Sequence, residues 1–452
     1  MSAIYILFIV FAGVSFLLLM VLKFKLNAFI ALLITSIMVG VLAGMPLNQI
    51  SVSIQNGMGG TLGFVATVVG LGAIFGQMLE SSGGAKSLAH YLLKKFGKNK
   101  ASWALMLTGF IVGIPIFLDV GLIILIPIVY AITRDTRKSI LYYAIPLLAG
   151  LAVTHAMVPP TPGPMAVAEI LKVDMGWVIL MGIIVGFPTA IIAGPVFGSF
   201  ISKRIYVAAP AELPETEEEL KLSGMPLPSF GIIAIIISAP LLLILMSTFI
   251  GVGIARDLFE KNLLTDILTF IGHPFTALII ATLMSILLCL KRQMSRQSIL
   301  DLSTKALGPA GIIILVTGAG GVLKQILIDS GIGKILAESI ADSSIPIIIL
   351  AWTLAALVRI TQGSATVAMI TAAGIIAPIL SIFNLNQQNV ALIVIAIAAG
   401  ATILSHVNDS GFWIVSKYLG MNEKQTLQSW TVMETIIAVI GLAFTLIISI
   451  FI

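Results

Sequence analysis

Cysteine and charge are what this sequence has least of. Its 452 residues include a single cysteine, Cys289, so a disulfide within the chain and a cysteine-based metal cluster are both excluded. Charged residues make up only 10% of the chain, against about a quarter in a soluble domain. The His-Glu-x-x-His motif is absent, as is a Gly-x-Ser-x-Gly serine with a matched histidine. We therefore expect no enzyme, no catalytic or metal site, and no cofactor beyond a coupling ion.

Hydrophobic residues are in large excess. They make up 59% of the chain, and the mean hydropathy is +1.13. Apolar runs of about 20 residues, the length that crosses a bilayer, recur from one end to the other. This pattern predicts an all-α polytopic protein embedded in lipid. The net charge of +5 comes from basic residues at the ends of these runs and not from one patch, so we expect no nucleic-acid partner.

One segment of the chain occurs twice, at residues 70–83 and 318–331. In a membrane protein, a duplicated half is typical of a secondary transporter, in which one repeat moves against the other around a central site. The identical residues are Gly70, Gly72, Gln77, Leu79, Ser82 and Gly83, which match Gly318, Gly320, Gln325, Leu327, Ser330 and Gly331.

Hydropathy predicts about ten spanning helices and two longer stretches. The stretches 102–133 and 345–383 are too long for one span, and glycine, proline or a charge interrupts each of them. We predict that both are re-entrant hairpins. The predicted spans are 3–22, 26–44, 60–81, 139–170, 176–201, 229–250, 265–290, 306–329, 389–417 and 430–452.

The positions of lysine and arginine predict the orientation. If both termini lie outside and both stretches are re-entrant, most basic residues fall on the cytoplasmic side, as the positive-inside rule requires. The first hairpin then enters from the cytoplasm and the second from outside. We therefore predict two inverted repeats, residues 1–205 and 229–452, joined by a cytoplasmic linker at 206–228.

Each predicted repeat has two interruptions in apolar sequence, where unwound backbone survives only beside protein or a water-filled cavity. In the first repeat, the hairpin turns near an ionisable group, Asp119, and the helix 139–170 breaks at a proline cluster. In the second, the hairpin turns within 359–366 and the helix 389–417 breaks within 405–411. The residues predicted to break helices in the first repeat are Gly113, Pro115, Pro159, Pro160, Pro162 and Pro164.

The residues at these interruptions suit an anion rich in hydroxyl groups. Half-helix N-termini favour a carboxylate, and Arg359 could hold the same group with its planar fork. Hydroxyl and amide side chains could serve hydroxyl groups along a sugar-acid chain. The predicted substrate contacts on these grounds are Thr161, Arg359, Ser364, Thr366, Asn408 and Ser410.

Coupling to an ion gradient needs a group that gains and loses a proton. The candidates are Asp119, His155, His406 and Asp409. A structural ion pair between Asp119 and Arg359 is an alternative role for both residues. Sodium is an open alternative to the proton, because unwound carbonyls could ligate Na⁺ together with oxygen-bearing side chains at the breaks.

Three motifs, at 154–164, 362–368 and 405–413, resemble the gluconate permease (GntP) family. Its members are bacterial proton-coupled symporters for gluconate, idonate, fructuronate or D-serine. The resemblance implies scaffold and transport domains with two opposed hairpins, the bacterial cytoplasmic membrane and a possible homodimer. Its motifs imply functional roles for His155, Pro160, Thr161, Gly163, Gln362, Ser364, Thr366, His406, Asn408 and Asp409, and the hairpin turn adds Gly363.

The leading hypothesis is a proton symporter that imports gluconate or a related sugar acid. The alternative keeps the mechanism and changes the cargo to D-serine or another small hydroxy or amino acid. A channel fits less well, because opposed broken hairpins suit alternating access better than a continuous pore.

Overall fold

The computed structural model describes residues 3–210, 226–332, 346–380, 383 and 385–452. Within these ranges every regular element is a helix, which confirms the predicted all-α class. Several helical segments are long and apolar enough to cross a membrane, so the chain is a multi-pass membrane protein. These segments are Leu47–Ser81, Leu141–Leu171, Met175–Ile201, Phe230–Ala255, Pro274–Lys291, Arg296–Asp329 and Glu423–Ser449.

The helices before the linker are α1 (Ala3–Leu22), α2 (Ala28–Leu42), α3 (Leu47–Ser81), α4 (Gly84–Phe96), α5 (Ala101–Val112), α6 (Leu118–Thr136), α7 (Leu141–Met157), α8 (Pro162–Leu171), α9 (Met175–Ile191) and α10 (Phe197–Ile201). A π-helical turn (Ile192–Val196) joins α9 to α10 without a break. α5 and α6, joined by the turn at 113–117, correspond to the first predicted hairpin, and a short unwound segment separates α7 from α8.

The helices after the linker are α11 (Phe230–Ala255), α12 (Leu263–Ile271), α13 (Pro274–Lys291), α14 (Arg296–Asp329), α15 (Ile347–Gln362), α16 (Ala365–Leu380), α17 (Gln387–Gly400), α18 (Ser410–Leu419), α19 (Glu423–Thr426) and α20 (Val432–Ser449). A second π-helical turn (Leu427–Thr431) joins α19 to α20. α15 and α16 form the second hairpin, and an unwound segment separates α17 from α18.

Three predicted helix bounds need correction. α3 and α14 begin well before their apolar runs, at Leu47 and Arg296; at about 1.5 Å per residue they are roughly 50 Å long and exceed the hydrocarbon layer. The predicted span 265–290 is two helices, because Pro274 starts α13 and the His273 side chain caps it by accepting from the Phe275 amide.

Some predicted segments lie partly outside the described residues. These are 211–225 of the predicted linker, residues 345, 381 and 382 of the second hairpin, and the first two residues of the chain. The entry of the two hairpins from opposite sides of the membrane stays a prediction.

The two copies of the duplicated segment lie on α3 and α14, which pack against each other. Ser53 donates a hydrogen bond of 2.6 Å to Asp329, so the start of α3 meets the end of α14. Farther along α3, Gly70 faces Leu307 near the start of α14. The two helices therefore run antiparallel, as inverted repeats would require.

The two halves also exchange contacts through the half-helices that follow each break. α8 packs against α16, the second arm of the opposite hairpin. α18 packs against α6, and the Tyr130 hydroxyl on α6 donates to the Tyr418 carbonyl oxygen. Each broken helix thus packs on an arm of the opposite hairpin.

Candidate functional site

The tip of the second hairpin fits directly against the break that follows α17. Gly363 ends α15 in the left-handed region, with φ of +86°. A Cβ atom on this glycine would lie 2.3 Å from the carbonyl oxygen of Asn408. The turn therefore needs glycine both for its backbone conformation and for the close approach.

An ion pair joins the same two segments. Arg359, on the last turn of α15, is only 4% exposed, and its Nη2 lies 2.5 Å from Oδ2 of Asp409. Its Nη1 donates to the carbonyl oxygen of Gly363. The ion pair with Arg359 that was the alternative role of Asp119 is thus made by Asp409. The reason is that the break contacts this hairpin tip, whereas Asp119 belongs to the other hairpin.

Asp409 is surrounded by donors. Ser405 donates to its Oδ2 at 2.5 Å, and the Gly411 amide donates to its Oδ1 at 3.0 Å. Ser405 is itself held by the indole of Trp430, whose Nε1 lies 2.6 Å from the serine hydroxyl. These bonds fix the carboxylate at the N-terminus of α18, where the helix dipole favours negative charge.

The remaining polar groups of this break bind the end of α15. Asn408 Nδ2 donates to the Ile360 carbonyl oxygen at 3.0 Å, and His406 Nε2 lies 3.0 Å from the same oxygen. The last carbonyl groups of a helix have no partner within the helix, and these two side chains serve as partners for one of them. His406 is therefore engaged with backbone at the hairpin tip.

Polar side chains with open faces surround the ion pair. Gln362, Ser364 and Thr366 are half-buried, while Asn408 and Ser410 are exposed. The structure thus gathers the predicted substrate contacts of the second half in one place. Their hydroxyl and amide groups can donate to and accept from a hydroxylated ligand.

The break of the first half is narrower than its prolines suggest. Only residues 158–161 are non-helical, and the peptide bond between Pro159 and Pro160 is cis. α8 begins at Pro162, so Pro162 and Pro164 belong to the helix and not to the break. The physical reason is that amides in the first helical turn have no partner within the helix, so proline costs nothing there.

Thr161 and Gly163 are buried within this first-half region. The Thr161 hydroxyl donates to the Val158 carbonyl oxygen at 2.8 Å. A Cβ atom on Gly163 would lie 3.1 Å from the sulfur of Met369 on α16. Thr161 therefore closes the break on itself, and Gly163 packs against the opposite hairpin. Neither residue has the open face seen in the second half.

The first hairpin turns at Gly113 and Pro115 against a helix from the duplicated segment. A Cβ atom on Gly76 of α3 would lie 2.2 Å from the Pro115 carbonyl oxygen. One turn earlier, a Cβ on Gly72 would lie 3.2 Å from the carbonyl oxygen of Pro160. α3 thus supports both interruptions of the first half through two glycines.

Asp119 and His155 form the second group of predicted proton carriers. Asp119 is exposed in the first turn of α6 and acts electrostatically on His155, in the last turn of α7. The His155 ring meets Phe117 edge to face at 5.8 Å between centroids. Its buried Nδ1 finds no hydrogen-bond partner among the described residues. The four candidates therefore separate into two pairs, one at each hairpin.

Sequence reasoning missed one residue, Glu434. It lies in the first turn of α20, is 3% exposed, and interacts electrostatically with Arg359 and Asp409. The signal was present, because Glu434 is the only charged residue in the apolar run 427–452. Buried charge of this kind marks function in membrane proteins.

Comparison with known proteins decides the family. The GntP family permease model matches residues 4–451, nearly the whole chain. The chain belongs to the GntP permease family. Relatives of this GntP permease include the gluconate permease of Pseudomonas aeruginosa, 40% identical over 442 residues, covering 96% of this chain and 95% of the relative. The low-affinity gluconate transporter of Escherichia coli K12 is 40% identical over 430 residues, covering 95% of both chains.

Another relative of this GntP permease carries a different substrate name. The Gnt-II system L-idonate transporter of Escherichia coli K12 is 37% identical, covering 96% of this chain and 97% of the relative. The solved structure of the YdaH transporter from Alcanivorax borkumensis shares the fold, with a TM-score of 0.64 at 12% identity and coverage of 93% and 98%. Because the family and these relatives at 37–40% identity are transporters, the protein is a transporter and not an enzyme.

Proposed function

We propose that this protein is a proton symporter that imports gluconate or a related sugar acid. The observation that carries the proposal is the buried Arg359–Asp409 pair at a hairpin tip, surrounded by open hydroxyl and amide side chains. Relatives named as gluconate transporters cover the same length of chain. The small anionic substrate is inferred from those names and from this chemistry together.

The geometry suits a carboxylate with a hydroxylated tail. Arg359, paired with Asp409, lies next to the hairpin tip, where the N-terminal amides of α16 begin and favour negative charge. Ser364 and Thr366 belong to the hairpin tip, and Asn408 and Ser410 belong to the break that contacts it. A chain of hydroxyl groups placed between them would exchange hydrogen bonds along its length, which favours a sugar acid over an apolar acid.

Alternating access is supported by the way the two halves engage. α3 and α14 pack antiparallel, and each broken helix lies on the opposite hairpin. Inverted repeats that exchange conformations open a central site to each side in turn. Family membership supports a bacterial cytoplasmic membrane, and the distribution of lysine and arginine supports both termini outside.

Protons are the proposed coupling ion, because titratable groups lie at both hairpins. Asp119 and His155 interact near the first tip, and His406 and Asp409 lie beside the second. Sodium is the alternative coupling ion, and the uptake experiment must distinguish it from the proton.

The test is uptake of labelled gluconate into proteoliposomes with an imposed pH gradient, acidic outside. We expect accumulation that a protonophore abolishes and that a sodium gradient does not replace. Accumulation driven only by sodium would overturn proton coupling. Vesicles that accumulate D-serine but not gluconate would move the substrate to the amino-acid class.

A further inference from the structure

Three ionisable groups share one buried region beneath the second hairpin tip. Arg359 is 4% exposed, Glu434 is 3% exposed and the Asp409 side chain is 13% exposed. They come from α15, from the break before α18 and from α20. Glu434 lies one turn after Trp430 and Thr431, which donate to the hydroxyl and the carbonyl oxygen of Ser405, and Ser405 itself donates to Asp409. One cation and two carboxyl groups are thus enclosed in the same region.

A buried group of charges is stable only when its net charge is close to zero. The Arg359–Asp409 pair is neutral by itself, so an ionised Glu434 would leave one negative charge without a counterion. Two carboxyl groups near one cation meet this condition by sharing a proton. The enclosure therefore favours one bound proton in the conformation seen here.

The hydrogen bonds indicate which carboxyl group holds that proton. Asp409 accepts bonds from Arg359, Ser405 and the Gly411 amide, all of which stabilise a carboxylate. Arg359 also keeps one buried N–H, at Nε, with no acceptor in the described part of the chain. Asp409 is committed to the ion pair, so the proton belongs on Glu434.

The surroundings of Glu434 contain few competing groups. α7, α9, α15, α17 and the two π-helical turns pack against α20. Of these, α9, α17 and both turns contain no charged or titratable residue. α15 contributes Arg359, and α7 contributes Tyr142, Tyr143 and His155. The Thr402 hydroxyl reaches the Glu434 carbonyl oxygen at 3.4 Å, which ties the start of α20 to the broken helix.

We propose that Glu434 is the proton-binding residue through which gradient and substrate are coupled. With the proton bound, the enclosure is neutral and an anionic substrate can settle at the hairpin tip above Arg359. Without it, the enclosure is negative and repels that anion. Proton and substrate thus raise each other's affinity, since such coupling is reciprocal. This inference rests on the proposed proton symport of a sugar acid.

The test compares Glu434→Gln with the unchanged protein in proteoliposomes and in detergent. Glutamine has the shape of the neutral glutamic acid, so the variant should still bind gluconate and exchange it across the membrane. We expect it to lose accumulation driven by the pH gradient. Gluconate affinity of the unchanged protein should rise as pH falls, by up to about tenfold per pH unit, and that of the variant should stay constant.

Two further variants keep the test sharp. Glu423→Gln removes an exposed carboxylate at the start of α19 and should behave as the unchanged protein. Glu434→Asp keeps a carboxyl group and should retain gradient-driven accumulation; if it folds and exchanges gluconate yet fails to accumulate it, the requirement is for size and not for a proton.

Other results separate this inference from the proposed function. A Gln variant that still accumulates gluconate and keeps its pH-dependent affinity would overturn the role of Glu434. A Gln variant that no longer folds, beside an Asp variant that folds but shows pH-independent affinity, would also overturn it. An unchanged protein without gradient-driven gluconate uptake would overturn the proposed function instead.

Discussion

Gly363 lies so close to Asn408 that a Cβ atom would come within 2.3 Å of the asparagine carbonyl oxygen. The second hairpin tip therefore fits its neighbouring break only because one residue has no side chain. With φ of +86°, the same residue also needs the left-handed conformation that glycine adopts freely. Position 363 thus combines two requirements for glycine, the backbone conformation and the contact with Asn408. A control variant can separate them.

Gly363→Ala should abolish gluconate uptake and lower thermal stability in detergent. The left-handed backbone alone costs a non-glycine residue about 1–2 kcal/mol, and the clash with Asn408 adds to this. Gly83→Ala is the matched control, since Gly83 is also left-handed, with φ of +78° and ψ of 15°, and its Cβ position has only ordinary contacts, the nearest at 3.4 Å. Equal stability losses in the two variants would show that the contact with Asn408 is unimportant.

Gly76→Ala tests the contact between α3 and the first hairpin. Its Cβ would lie 2.2 Å from the Pro115 carbonyl oxygen, so the hairpin must shift and uptake should fall at least tenfold. Gly63→Ala on the same helix has open space and should stabilise the helix by about 1 kcal/mol without loss of uptake. Similar uptake by both variants would contradict the tight seating of the hairpin.

Asp409→Asn should destabilise the protein by about 3–5 kcal/mol, because it leaves Arg359 buried without its counterion. The pair of Lys172 and Glu169 provides the comparison, because its cation is open to solvent, with Lys172 63% and Glu169 14% exposed. Glu169→Gln should change stability by about 1 kcal/mol or less. Denaturation in detergent micelles measures the free energy of unfolding of both variants. A small loss of stability in Asp409→Asn would show that water, and not protein, surrounds the ion pair.

Asp119→Asn tests the first group of predicted proton carriers. We expect it to slow accumulation driven by the pH gradient, because Asp119 is exposed at the hairpin and interacts with His155. It should leave the pH dependence of gluconate affinity intact, since Asp119 belongs to the other hairpin. Asp266→Asn, an exposed aspartate in the first turn of α12, is the control. Unchanged accumulation would remove Asp119 from coupling.

Much of the fold is predictable from sequence because the bilayer restricts the choice of structure. Backbone in hydrocarbon must be helical, so apolar runs locate helices, and glycine or proline within them locates the turns at Gly113 and Gly363. Hydropathy averaged over a window hides short interruptions, so it predicts one helix across Gly272 and Pro274. Polar helix ends outside the hydrocarbon escape the same method, as at Leu47 and Arg296.

The sequence predicts individual residues of the site but not which of them contact each other. The hairpin interruption pointed to Arg359 and a motif to Asp409, but no local pattern pairs residues so far apart in the chain, and Asp119 was an equally reasonable partner for Arg359. Glu434 was missed because its neighbours are strongly apolar, so the segment reads as an ordinary span. Its role depends on three segments that meet only in the folded protein.

The most direct test of proton-coupled sugar-acid transport follows both fluxes at once. Gluconate is added to proteoliposomes with no imposed gradient, and the external pH is recorded while labelled gluconate enters. We expect the medium to become alkaline in proportion to gluconate uptake, with no pH change before gluconate is added. Gluconate entry without any alkalinisation would contradict proton symport.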